Sequence, residues 1–66
     1  MKLQTLFEMC HNLGLGTIIT VRDFNSMKII DIDSYERINS IFGDKEIIYF
    51  SIDDLRHATV YMEGVA

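Results

Sequence analysis

The stretch EIIYFSI, residues 46–52, is the strongest β-strand signal in this chain of 66 residues. It consists largely of β-branched and aromatic residues, which are typical of strands. The polar residues 53–56 follow it as a predicted turn, and ATVYM, residues 58–62, is the next predicted strand. This part of the chain is therefore predicted to form a β-hairpin.

A second hairpin is predicted upstream of the first. TIITVRD at residues 17–23 and MKIIDI at residues 27–32 are both rich in branched apolar side chains, and residues 24–26 separate them as a turn. The chain therefore contains four predicted strands in two pairs.

A helix is predicted between the two hairpins, over residues 34–42. Asp33 is its predicted N-cap, because a carboxylate there accepts hydrogen bonds from the exposed amides of the first turn. Glu36, three residues later, completes a capping box. Gly43 is predicted to end this helix.

A longer amphipathic helix is predicted at residues 2–13, followed by Gly14 as its C-terminal cap. Its apolar residues recur at steps of three and four positions, which places them on one face. These residues are Leu3, Leu6, Phe7, Cys10 and Leu13.

The order helix, strand, strand, helix, strand, strand predicts one α+β domain that spans residues 1–66. We expect a small, mostly antiparallel sheet of four strands with both helices on one face. A chain of this length has room for a single core only.

Composition excludes several classes of protein. Hydrophobic residues make up 48% of the chain, which is typical of a folded domain, and the net charge of −4 disfavours general binding to nucleic acids. The single cysteine, Cys10, has no partner for an internal disulfide, which favours a reducing compartment. The apolar runs are too short to span a membrane. A cytoplasmic protein is expected.

The strands carry apolar residues on both faces, which predicts association. Neighbouring residues of a strand point to opposite faces, so two short helices leave one face uncovered. We predict a homodimer through this second face or through an edge strand, with a self-covering monomer as the alternative. The predicted interface residues are Ile18, Ile30, Ile47 and Tyr49.

Charge is divided unevenly along the chain. Residues 1–30 carry a net charge of +1 and residues 31–66 carry −5. An acidic surface can attract a basic partner or imitate the phosphates of nucleic acid, although turns and helix caps also use acids. The predicted partner-binding residues are Phe24, which is an unusual apolar residue in a turn, and Asp31, Asp53, Asp54 and Glu63.

No catalytic residue, metal ligand or cofactor is predicted. His57, Asp54 and Ser51 lie close in sequence, but a chain this small offers little room for a substrate cleft. The acids and histidines match no metal-binding spacing, and Cys10 is expected in the core.

A different possibility is a dimeric protein that binds a small ligand, such as a nucleotide signal. Arg22, Lys28 and Arg56 are its predicted phosphate-binding residues, since arginine and lysine bind phosphate oxygens.

The segments MKLQTLFEMC, GTIITVRD and EIIYFSIDD resemble the short acidic proteins encoded by phages and prophages of Gram-positive hosts. From residue 17 onward, the order strand, strand, helix, strand is also similar to that of the phage inhibitor of uracil-DNA glycosylase, a dimer that imitates DNA. These resemblances imply a non-enzymatic protein that binds and inhibits or sequesters a host factor, in defence or DNA metabolism. A structural subunit of a larger assembly is a third possibility.

Overall fold

Two helices and four strands form the fold in a computed structural model that describes residues 1–10, 16–54 and 56–63. The prediction of an α+β domain with a mostly antiparallel four-stranded sheet is confirmed. In chain order the elements are α1 (Leu3–Met9), β1 (Ile18–Asp23), β2 (Ile29–Ser34), α2 (Tyr35–Phe42), β3 (Ile47–Asp54) and β4 (His57–Met62).

The strands are arranged in the order β2-β1-β4-β3. Both predicted hairpins form, since β1 pairs with β2 and β3 pairs with β4 in antiparallel fashion. The hairpins join through a parallel pairing of β1 with β4, in which Ile18 lies beside His57 and Asp23 beside Met62. A parallel pair needs a long crossover, and α2 lies within it. The central strands are therefore β1 and β4, while β2 and β3 form the edges.

The core lies between the helices and one face of the sheet. Alternate residues of β1 and β4 are buried there, and alternate residues of a strand share a face. Both helices therefore pack on the same side of the central strands. The buried apolar side chains are Leu3, Leu6 and Phe7 from α1, Ile38 from α2, Ile19 and Val21 from β1, and Ala58, Val60 and Met62 from β4.

The first helix is shorter than predicted. It ends at Met9, because the backbone of Cys10 leaves the helical region (φ −99°, ψ 87°). The apolar periodicity continues beyond this point, but periodicity reports which side chains prefer burial and not where the backbone turns. The predicted cap at Gly14 lies outside the described residues.

The predicted N-cap of the second helix is wrong by one residue. Ser34 is the N-cap, and its Oγ accepts a hydrogen bond from the backbone N–H of Arg37 at 3.4 Å. Asp33 instead belongs to β2, where it pairs with Ile19, so the predicted capping box with Glu36 does not form. Gly43 ends α2 as predicted, and a Cβ at this position would collide with the carbonyl oxygen of Asn39.

Strand boundaries also differ from the predictions by one or two residues. The β1–β2 turn is longer because Met27 has a positive φ of 64° and Asp23 accepts hydrogen bonds from the N–H and hydroxyl of Ser26. At the other hairpin, Asp53 and Asp54 belong to β3 and not to the turn. Irregular pairing near Ile48 and Asp53 lengthens this strand, which is typical of β-bulges.

Candidate functional site

The candidate site is the face of the sheet opposite the helices, which we call the helix-free face. Its residues alternate along each strand with those that face the core. The pairing register aligns them in rows across the four strands. They are Ile18, Thr20 and Arg22 of β1, Ile29 and Ile32 of β2, Tyr49 and Ser51 of β3, and His57, Thr59 and Tyr61 of β4.

The helix-free face has a polar centre and apolar edges. Thr20 and Thr59, which lie beside each other on the central strands, are only 5% and 7% exposed. Around them, Ile18, Ile32 and Tyr49 are 41%, 52% and 58% exposed. The face therefore combines shielded hydroxyl groups with large apolar side chains that contact solvent.

A hydrogen-bond network connects three strands at this centre. Asp53 of β3 accepts from the hydroxyl of Thr59 through Oδ2 (2.8 Å) and from that of Ser51 through Oδ1 (3.1 Å). The Nδ1 atom of His57 lies 3.4 Å from Asp53 Oδ2, and its Nε2 atom lies 2.9 Å from the hydroxyl oxygen of Thr20. The network thus links side chains of β3, β4 and β1.

The hydroxyl of Thr59 lowers the pKa of Asp53, because its hydrogen bond stabilises the carboxylate form. The bond from Ser51 and the nearby His57 act in the same direction. Sequence reasoning placed Asp53 in a turn and missed Thr20 and Thr59. The available signal was a polar residue in the middle of two otherwise apolar strands.

Replacing Asp53 with asparagine is expected to lower the free energy of unfolding by about 1 kcal/mol at pH 6, since a charge-assisted acceptor is lost. A carboxylate with a lowered folded-state pKa stabilises the fold above its unfolded pKa, near 3.8, and loses this effect as the pH falls through the folded pKa. The difference between wild type and D53N should therefore shrink between pH 6 and pH 3.

Urea denaturation at a series of pH values measures this difference. D44N is the matched control, because Asp44 is an exposed carboxylate in the α2–β3 connection, away from the network. If D53N lowers the free energy of unfolding equally at pH 6 and pH 3, the stabilising role of the Asp53 carboxylate is wrong.

The network has the order carboxylate, imidazole, hydroxyl that occurs in hydrolytic triads. The residues differ from the set considered in the sequence, since Asp53 and Thr20 contact His57 where Asp54 and Ser51 were considered. The described part of the chain contains no pocket beside the shielded Thr20.

Within residues 1–10, 16–54 and 56–63, the structure contains neither a cluster of metal ligands nor a membrane-spanning helix. No group of three or more histidine, cysteine, aspartate or glutamate side chains there is close enough to hold a metal ion. No helix within those ranges is long and apolar enough to cross a bilayer. Cys10 is half-buried and packs against the core.

The structure does not gather the predicted partner-binding residues into one patch. Phe24 lies in the β1–β2 turn, and its N–H donates to the carbonyl of Met62, immediately before Glu63. Asp53 and Asp54 lie near His57, at the opposite end of β4, roughly 20 Å away for six residues of strand. Asp31 lies on the edge strand β2. The acids are thus distributed over three regions of the surface.

The four predicted interface residues lie on different faces. Ile18 and Tyr49 belong to the helix-free face, where both are exposed. Ile30 and Ile47 are half-buried and pack against the core on the helix side. Only the first two are available on the same face of the sheet.

The three predicted phosphate-binding residues are also separated. Arg22 donates to the carbonyl oxygen of Met27 at 2.6 Å, and Lys28 lies at the same end, where its carbonyl accepts from Asp23 N–H. Arg56 precedes β4 at the other end of the sheet, roughly 16 Å along the strand from the partner of Arg22, Tyr61. One small ligand does not span this distance.

Comparison of the chain with protein-family models, with curated proteins and with solved structures found no match. The resemblances to phage proteins therefore stay predictions.

Proposed function

We propose that this chain is a non-enzymatic interaction protein of the phage type, which binds a host protein in the cytoplasm and inhibits or sequesters it. The helix-free face is the proposed binding surface. The observation that carries this proposal is the exposure of Ile18, Ile32 and Tyr49 on the side of the sheet opposite both helices.

The chemistry of this face suits a protein partner. Protein interfaces are enriched in tyrosine, which supplies a large contact area and a hydroxyl group. Tyr49 and Tyr61 lie side by side with ring centroids 5.6 Å apart. Burial of the exposed isoleucines against a partner would remove apolar area from water, at about 25 cal/mol per Å².

The side chains at the centre of the helix-free face are ordered before a partner binds, which favours binding. The hydrogen bonds of Asp53 and His57 fix the side chains of the central row before a partner arrives. A partner therefore meets a surface that is already ordered, which lowers the entropic cost of association.

The alternatives receive less support from the described residues. A nucleotide-binding protein would need Arg22, Lys28 and Arg56 close together, and they lie at two ends of the sheet. A subunit of a larger assembly would use the same helix-free face, and the stoichiometry of the captured complex separates that role from inhibition.

Capture from a lysate of cells that carry the gene tests the proposal. We expect the wild type to retain a specific host protein and the I32K variant to lose at least about 90% of it, a tenfold change in affinity. The matched control is I41K, because Ile41 is also an exposed isoleucine, at 45%, but lies on α2. Circular dichroism establishes that both variants are folded.

Purified host protein is then titrated with each variant, which gives the dissociation constants directly. Equal weakening by I32K and I41K, or no weakening by I32K, would show that the helix-free face is not the binding surface. Stabilisation of the purified chain by nucleotides in a thermal-shift screen would support the ligand-binding alternative.

A further inference from the structure

The two edge strands of the sheet expose different backbone groups. In an antiparallel pair, alternate residues direct their N–H and C=O groups to the neighbouring strand and the others direct them outward. An outward row of unpaired groups is a template for another strand, unless the protein blocks it. Whether each edge is blocked can be determined from the hydrogen bonds.

The outer edge of β2 is closed by its own side chains. Tyr35 N–H donates to the carbonyl of Thr17, so Ile32 and Ser34 direct their N–H groups outward. Asp31 Oδ1 accepts from the N–H of Ile32 at 2.8 Å, and Asp33 Oδ1 accepts from that of Ser34 at 2.7 Å. Both outward donors are therefore already bonded, beside two negative charges.

The outer edge of β3 is different. The N–H of Ile18 donates to the carbonyl of Arg56, and the N–H of Phe24 donates to the carbonyl of Met62. The even-numbered residues of β4 therefore direct their backbone N–H and C=O groups toward β1. The odd-numbered residues of β4 then face β3, where they pair with Ser51 and Tyr49. Phe50 lies between Tyr49 and Ser51, and Ile52 follows Ser51. Both therefore direct their backbone N–H and C=O groups away from β4, toward the open edge.

The start of this edge is already covered. Ile47 N–H donates to the carbonyl of Met1, and Leu3 N–H donates to the carbonyl of Lys45. The uncovered part therefore comprises residues 48–54, with Ser51 at its centre. Ile48, Phe50 and Ile52 are 44%, 37% and 41% exposed along it.

We propose that the outer edge of β3 is the site at which a second copy of this chain adds its own β3, antiparallel and about a two-fold axis through Ser51. In this register, Phe50 of each copy lies opposite Ile52 of the other. The outward N–H and C=O groups of these residues then form four backbone hydrogen bonds across the seam.

The exposure of Phe50 and Ile52 fits this occupant. Both pair with buried core-facing residues of β4, namely Val60 and Ala58, so they lie on the helix side of the sheet. In the dimer, Phe50 and Ile52 of one copy would contact Ile52 and Phe50 of the other copy. These contacts would continue the apolar core across the seam. Residues 49–52 between the two irregular positions keep regular pairing, so this stretch can accept a strand.

The register about Ser51 also keeps the seam within the uncovered residues 48–54, since Ile48 of one copy then lies opposite Asp54 of the other. Closure of β2 by Asp31 and Asp33 limits the assembly to two copies, because a second open edge would allow an open chain of subunits.

Sedimentation equilibrium of the purified chain tests the proposal. The concentration is varied from about 1 to about 100 µM, a range that spans typical weak affinities. We expect the wild type to approach twice the monomer mass of 7.6 kDa. I52K should weaken the dimer at least about tenfold, since it places a lysine on the seam. I32K, on the closed edge β2, should leave the dimer unchanged.

Disulfide formation tests the register and does not depend on I52K folding. In a C10S background, S51C should be oxidised to a covalent dimer, since residues facing each other across the axis lie about 4.5 Å apart at Cα. Y49C, two positions from the axis, should not. A monomer at all concentrations, equal effects of I52K and I32K, or equal crosslinking of the two cysteine variants would overturn the proposal. These measurements use the purified chain alone, so they are independent of host-protein capture.

Discussion

Replacing Phe7 with alanine is expected to lower the free energy of unfolding by about 3–5 kcal/mol. Phe7 is 4% exposed, and its ring lies 4.4 Å from that of Tyr35, measured between centroids. It is therefore the aromatic contact between α1 and α2. The whole domain has roughly 3–10 kcal/mol of stability at the usual value per residue, so this loss is a large part of it.

The loss at Phe7 should extend beyond the cavity. A helix of seven residues is not stable alone in water, so α1 depends on its packing. Its start is also attached to the rest of the fold by hydrogen bonds from Leu3 and Gln4 to Lys45 and Gly43. Without the Phe7 ring, we expect α1 to lose helicity before the sheet unfolds.

Urea denaturation at a fixed protein concentration measures the change, because an associating chain has a concentration-dependent stability. Met9→Ala is the matched control, since Met9 lies on the same helix and is 61% exposed. It should change stability by less than about 0.5 kcal/mol. A similar loss in both variants would mean that Phe7 is not a core contact.

Replacing Ile38 with alanine is expected to cost about 2–5 kcal/mol. Ile38 is the buried residue of α2 and has 0% exposure, within a core that also contains Ile19 and Val21. The side chains of Tyr35 and Phe42 contact this core only in part. Ile38 is thus the main contact of α2 with the sheet, and its truncation leaves a cavity there.

The control for this variant is Ile41→Ala, which removes the same atoms from an exposed position of α2. The two substitutions change helix propensity equally, so the difference between their unfolding free energies isolates the effect of burial. We expect a difference of at least about 2 kcal/mol. Near-equal values would contradict the position of Ile38 in the core.

Much of the fold was predictable because its signals are local. Residues 46–52 are predicted to form a strand because most of them are β-branched or aromatic, and the structure contains this strand as β3. Strand ends were less predictable, because they depend on partners. Asp53 extends β3 in this protein since its carboxylate accepts from Thr59 on the neighbouring strand.

The candidate site was predictable only in part. Of the four residues that were predicted to form an interface, Ile18 and Tyr49 are exposed, whereas Ile30 and Ile47 are half-buried against the core. The central network was not foreseen, because Thr20 and His57 are 37 positions apart and meet only through the parallel pairing of β1 with β4. The capping role expected of Asp33 was replaced by pairing in β2, and its carboxylate bonds the outward N–H of Ser34.

The sequence by itself determined the number and kind of the elements and the two hairpins, because strand propensity, helical periodicity and turn residues act over a few neighbouring positions. The tertiary structure decided which strands are central, which edge is closed and which polar groups meet at the centre of the helix-free face. These outcomes depend on pairing between distant segments, and such pairing is set by the packing of the whole core.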